Sequence, residues 1–106
     1  MPSTSPNQQH FLLELEQGIK LSNREVIHQK IPPVTSEAAL AFAITVAKLR
    51  AKYLEAAFAF SSVENTSHVT DEDFANLKLQ RERYEEARDA FEALRQAIDR
   101  GYVDIG

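Results

Sequence analysis

The chain contains no cysteine and no tryptophan, and it has only three glycines. The absence of cysteine excludes disulfide bonds, thiolate metal sites and cysteine nucleophiles. Few glycines are typical of a helical protein rather than of a turn-rich β protein. We therefore expect an all-α protein whose core forms without covalent cross-links.

The chain also lacks an excess of positive charge and a long uninterrupted apolar run. Its net charge is −4 and its pI is near 5.3, which argues against a nucleic-acid partner, because such proteins usually carry a basic face. The most apolar stretch, residues 38–47, stops at Lys48, whereas a membrane-spanning helix needs about 20 mostly apolar residues. No signal-peptide pattern opens the chain, so we expect a cytoplasmic protein that does not associate with a membrane.

The most informative stretch is Ser36–Phe60, which the sequence predicts to be one long helix. Two apolar seams run along it at helical spacing, and they lie on opposite sides because they are offset by two residues, or about 200°. The first seam consists of Phe42, Val46, Leu49, Tyr53, Ala56 and Phe60. The second seam consists of Leu40, Ile44, Ala47, Ala51, Leu54 and Phe58. A helix that is apolar on two sides requires cover on both.

Two other helices are predicted, each with a single apolar seam. Ser5–Gln8 combines capping-box spacing with a proline at the first helical position, which indicates a helix start. Thr70 and Asp73 give the same signature for the last helix, which should end near Arg100 because Gly101 favours termination. The first helix carries Phe11, Leu12, Leu15 and Ile19, and the last carries Leu77, Tyr84, Ala87, Ala90, Phe91, Leu94 and Ile98.

The segment before the central helix allows two interpretations. Ser22–Glu25 has the spacing of another capping box and predicts a short separate helix over Asn23–Lys30. Alternatively, Val26–Ile31 is a strand that pairs with Tyr102–Ile105. Because an isolated two-stranded ribbon is only marginally stable, we favour the helix. In either case Pro32-Pro33 ends the element.

Together the elements predict one domain, residues 1–106, that forms an up-and-down bundle of three to four helices with two long antiparallel helices. Residues 1–4 should be disordered, and residues 61–69 should form a mobile connector. The last helix would cover the first seam of the central helix, and the first helix would cover the second. At about 15 residues, or 22 Å, the first helix is too short to cover that whole seam.

The end of the second seam around Leu54 and Phe58 should therefore stay open. An exposed apolar strip usually marks an association surface. We predict a homodimer or a helical protein partner that binds at Leu40, Ile44, Leu54 and Phe58, with no cofactor. The favoured function is a non-enzymatic interaction module, such as a dimeric adaptor, an inhibitor or a chaperone-like partner.

Two other functions remain open. Glu25 and His28 have the Glu-x-x-His spacing of di-iron bundles, although such a site requires a second motif and further glutamates, which only a dimer could supply. This alternative is a metal-binding or enzymatic helical bundle. The second alternative is a nucleic-acid-associated regulator that uses the basic patch Lys48, Arg50 and Lys52. No phosphate-binding loop and no nucleophile elbow is present in the sequence.

One short segment resembles a known repeat. Tyr84–Ala87, followed by Phe91, is similar to one helix of a tetratricopeptide repeat over about 15 residues. The pattern of the partner helix and a second repeat are missing from the sequence. We therefore assign no family.

Overall fold

The computed structural model describes residues 5–62 and 68–106. Within these ranges 79% of the residues are helical and no strand is formed, which confirms the all-α prediction. The described ranges contain three helices, α1 (Pro6–His28), α2 (Ser36–Phe60) and α3 (Asp71–Asp99). The prediction for residues 1–4, and that for residues 63–67 of the connector, lie outside the described residues.

The chain divides into two compact units. The first comprises residues 37–94 and holds α2 and most of α3. Its long helices begin where the sequence predicts. Asp73 donates its backbone N–H to Thr70 Oγ1 at 3.1 Å, and Thr70 donates its own to Asp73 Oδ2 at 2.9 Å. This reciprocal pair satisfies two N–H groups that would otherwise lack partners at the start of α3.

The first seam of α2 packs against α3 through three aromatic pairs. The pairs are Phe42–Phe91, Tyr53–Tyr84 and Phe60–Phe74, with ring centroids 5.4, 6.0 and 4.8 Å apart. Later positions of α2 thus meet earlier positions of α3. Val46, in the middle of this seam, is buried with 6% of its surface exposed.

The second unit comprises residues 1–36 and 95–106, and α1 is its main element. The predicted start of α1 is confirmed. Gln8 donates its backbone N–H to Ser5 Oγ at 3.2 Å, and Ser5 donates to Gln8 Oε1 at 2.9 Å, with Pro6 at the first helical position.

The predicted break inside α1 is wrong. Residues 6–28 form one helix that continues through Gly18, and the predicted second capping box at residues 22–25 does not form. The Asn23 side chain instead donates to the carbonyl of Ile19 at 2.8 Å, one helical turn earlier. Glycine costs a helix interior only about 1 kcal/mol, whereas starting a second helix would require a new and unfavourable nucleation step. The continuous helix is therefore favoured.

The end of the chain, residues 100–106, forms a short segment that we call the C-terminal hook. Gly101 adopts a φ of 74°, and Tyr102 donates its N–H to the carbonyl of Ala97 at 2.8 Å. Together with the bond from the Gly101 N–H to the Ile98 carbonyl at 3.0 Å, this is a Schellman motif, which ends α3. Within the hook, Val103 is buried with 7% of its surface exposed.

The strand interpretation of residues 26–31 is also wrong, because residues 26–28 belong to α1. The hook does pair with an extended residue, but that residue is Val34. Val34 donates to the Asp104 carbonyl at 2.8 Å and accepts from the Gly106 N–H at 2.9 Å, which gives a single parallel bridge to Ile105. Pro32 and Pro33 have no N–H to donate, so Val34 carries the first backbone donor after them.

Candidate association surface on the central helix

The second seam of α2 is exposed along its full length. The exposed fractions are 61% for Leu40, 46% for Ile44, 51% for Leu54 and 76% for Phe58. Ala47 and Ala51, between them, are exposed as well. The sequence predicted an open end around Leu54 and Phe58, and the exposed residues also include Leu40 and Ile44. The open strip therefore extends over the whole seam.

The seam is straight and regular. Its six residues are separated by steps of four, three, four, three and four, which is the spacing of a coiled-coil seam. At 1.5 Å per residue, Leu40 and Phe58 lie about 27 Å apart along the helix. The four large side chains stand in two groups at the ends, with the two alanines between them. A second helix could therefore lie along it and approach most closely at the centre.

Burial of the exposed seam would contribute a large free energy relative to the stability of a chain of this size. Full burial of one large apolar side chain is worth about 1.5–3 kcal/mol. The four large residues of the seam keep 46–76% of their surface exposed. Covering all four would recover several kcal/mol, a substantial part of the roughly 5–15 kcal/mol that stabilises a typical domain. Among the described residues, only Val46 and Val103 are buried hydrophobic side chains.

Arg50, a basic residue of α2, is directed towards α3 and contacts Tyr84 there. Arg50 Nε donates to Tyr84 Oη at 3.2 Å, and its guanidinium carbon lies 5.2 Å from the centre of the Tyr84 ring. Arg88 lies 5.4 Å from the same ring. Mainly through the hydrogen bond from Arg50, this environment lowers the pKa of Tyr84. Arg50 therefore contacts α3, on the covered side of α2.

The contact with Tyr84 leaves fewer free charges in the predicted basic patch on α2. The patch comprises Lys48, Arg50 and Lys52, and the Arg50 guanidinium is engaged with Tyr84. Two lysines remain for an external anion, whereas duplex binding normally uses many phosphate contacts. The geometry therefore gives no added support to a nucleic-acid interface.

Glu25 and His28 lie near the hook in the second unit. Asp104 approaches His28 Nδ1 at 4.0 Å, but it also pairs with Arg24 Nη2 at 2.8 Å. The Glu25 side chain forms no hydrogen bond or ion pair with any described residue. In the described part of the chain, no group of three or more histidine, aspartate or glutamate side chains is placed to hold a metal ion. The Arg24 charge beside Asp104 also opposes a cation there.

The Arg24–Asp104 pair joins residues 80 positions apart, and no sequence pattern predicted it. A lone aspartate near a chain end gives no periodicity or spacing signal. The tyrosine–arginine contact between α2 and α3 was missed for the same reason, since its partners are 34 positions apart.

No helix in residues 5–62 and 68–106 combines the length and apolarity needed to cross a bilayer. No protein-family model, curated protein or solved structure matches this chain. We therefore infer the function from the exposed surface of α2.

Proposed function

We propose that this protein is a non-enzymatic protein–protein interaction module that binds through the second seam of α2. The observation that carries the proposal is the exposure of Leu40, Ile44, Leu54 and Phe58 on one helix face. Contiguous apolar surface of this kind usually marks an interaction site. A dimeric adaptor, an inhibitor or a chaperone-like partner in the cytoplasm would all use such a surface.

The proposed assembly is an up-and-down helical bundle. Within the chain, α2 and α3 would be the two long antiparallel helices, which is supported by the reversed order of their aromatic contacts. A helix from the binding partner would cover the second seam and complete the bundle. Burial of that seam would supply the main favourable free energy of association.

The test compares two aspartate substitutions at similarly exposed leucines. Leu54 lies in the seam and is 51% exposed, whereas Leu13 lies on α1 and is 56% exposed. Light scattering at micromolar concentration and affinity capture from the native cell are applied to wild type, Leu54→Asp and Leu13→Asp. We expect Leu54→Asp to lose its partner, whether a second copy or another protein, and Leu13→Asp to retain it.

Circular dichroism must show that Leu54→Asp keeps its helix content. If that variant unfolds, Leu54 belongs to the core and the proposal is wrong. The proposal is equally contradicted by a wild-type chain that is a compact monomer, captures no partner and does not bind apolar dyes.

A further inference from the structure

We propose that the occupant of the second seam is a second copy of this chain, with the two α2 helices antiparallel around a two-fold axis on the second seam, at the height of residue 49 along the helix. This inference depends on the proposed function, because it names the partner for the same surface. It comes from a symmetry in the seam. Leu40 and Phe58 are each nine positions from residue 49, Ile44 and Leu54 are five, and Ala47 and Ala51 are two.

A two-fold interface uses the same patch on both subunits, so each contact between two positions occurs twice. In the proposed register, Leu40 meets Phe58 of the second copy, and Ile44 meets Leu54 of the second copy. All four of these side chains are exposed in the single chain. Every large residue of the seam thus gains a large partner, and the two ends of the interface are identical.

The centre of the seam fits the same arrangement. Ala47 meets Ala51 of the second copy, and both alanines are exposed. Such small residues let two helix axes approach at the short end of the usual range of about 8–10 Å. Because the spacing alternates between three and four, the seams stay in register along their whole length. A parallel pair would gain nothing from the symmetry about residue 49, and it would align the two helix dipoles unfavourably.

The charges beside the seam oppose a second copy, but only weakly, and their salt dependence therefore distinguishes a second copy from an acidic partner. Arg50 is held on Tyr84, so it does not meet its symmetry mate. Lys48 of each copy would lie close to Lys48 of the other at the axis. Repulsion between exposed like charges is small and is screened by salt. We expect added salt to tighten the dimer about twofold, whereas it would weaken binding to an acidic partner helix.

The register is tested with engineered cysteines in the full-length chain, which has none of its own. Ala47→Cys and Ala51→Cys are prepared separately, mixed and oxidised. We expect the mixture to form a disulfide between the two different positions. Each variant alone should cross-link poorly, because identical positions would be offset by about 6 Å along the axis. Peptide mapping identifies the linked positions.

The matched control mixes Thr45→Cys with Lys52→Cys. Both positions are exposed on the polar side of α2, so this mixture should not cross-link. Efficient self-linking of Ala47→Cys would indicate a parallel pair and would overturn the proposed register. Equal cross-linking of the control mixture would mean random collision and would also overturn it.

A second measurement uses the charge at the axis. The dissociation constant of the dimer is measured by light scattering in low and high salt, for wild type and Lys48→Ala. Wild type should dimerise more tightly in high salt, and Lys48→Ala should reduce that salt dependence, leaving the part that comes from repulsion between two acidic chains. Weakening by salt in both proteins contradicts the proposed axis.

The two proposals fail in distinguishable ways. Leu54→Asp could abolish capture of another protein while the mixture of Ala47→Cys and Ala51→Cys does not cross-link. In that case the proposed function is supported, and the proposal that a second copy binds the seam is wrong. If Leu54→Asp changes no association at all, the proposed function itself is wrong.

Discussion

The two seams of α2 are both apolar, but their surroundings differ. Every residue of the first seam is buried or half-buried, and every residue of the second is exposed. The first seam carries three aromatic residues, and each has a ring partner on α3. The second carries one, Phe58, which is 76% exposed.

This difference shows what apolar periodicity can and cannot establish. Periodicity identifies which residues share a face of a helix. Whether that face is buried depends on a complementary face on another element. Helix α3 supplies Phe91, Tyr84 and Phe74, whose rings pair with those of Phe42, Tyr53 and Phe60. Such aromatic pairs add about 0.5–1.5 kcal/mol each beyond their buried area. Among the described residues, no aromatic ring pairs with the second seam of α2, and we propose that association covers it.

The largest expected effect compares one phenylalanine from each environment. Phe91→Ala removes the ring partner of Phe42 on the covered side of α2. Because Phe91 is half-buried, we expect the free energy of unfolding to fall by about 2–3 kcal/mol, somewhat less than for a fully buried phenylalanine. Phe58→Ala, on the open side, should change it by at most about 0.5 kcal/mol. Urea denaturation in dilute solution, where self-association is negligible, measures both.

The control repeats the denaturation of Phe58→Ala and Phe91→Ala at high protein concentration. If the second seam is covered by a second copy, Phe58→Ala should become destabilising as the protein concentration rises, since dimerisation stabilises only the folded chain. The effect of Phe91→Ala should depend less on concentration. Equal losses for the two variants in dilute solution would contradict the assignment of covered and open sides.

A smaller effect is expected from a substitution in the hook, away from both seams. Gly101 has a φ of 74°, which costs other residues about 1 kcal/mol or more. A Cβ at this position would also lie 2.8 Å from Cε of Lys20, a flexible side chain that can move. We expect Gly101→Ala to lower the free energy of unfolding by about 1 kcal/mol, measured by urea denaturation. Its dimerisation constant should equal that of wild type, so a changed constant would show that the hook influences the open seam.

Much of the unit of α2 and α3 could be predicted from the sequence because its signals are local. The bounds of α2, the Thr70 cap and the seam that meets α3 all follow from residues within a few turns of one another. The same reasoning failed in α1, where a capping-box pattern at residues 22–25 occurs inside a continuous helix. A local pattern could not show that the helix had already begun at Pro6.

The hook and the details of the candidate site could not be predicted for a different reason. The hook is held by backbone bonds between Val34 and residues 104–106, and backbone groups carry no residue-specific signal. The members of the second seam were identified from spacing alone, but their exposure along the entire seam was not. Exposure depends on where every other element lies, and a one-dimensional pattern does not contain that information.

The smallest expected effect concerns Tyr84, at the polar edge of the covered side. Its pKa lies below the ordinary value of 10.0, mainly because Arg50 donates a hydrogen bond to its oxygen. Between that lowered pKa and 10.0, folded Tyr84 binds fewer protons than the unfolded chain does, so its contribution to stability increases with pH. The contribution is complete above 10.0 and disappears as the pH falls through the lowered pKa.

Arg50→Gln removes the charge that stabilises the tyrosinate, so the pKa of Tyr84 should return towards 10.0 and the alkaline stabilisation should decrease. Tyrosinate absorbance during an alkaline titration, with Tyr84→Phe to assign the signal, measures the shift. Because Arg50 contacts α3, the same substitution should leave the dimerisation constant unchanged at neutral pH. If Arg50→Gln instead alters dimerisation and leaves the titration of Tyr84 unchanged, Arg50 belongs to the open side of α2, and the division between the two seams must be redrawn.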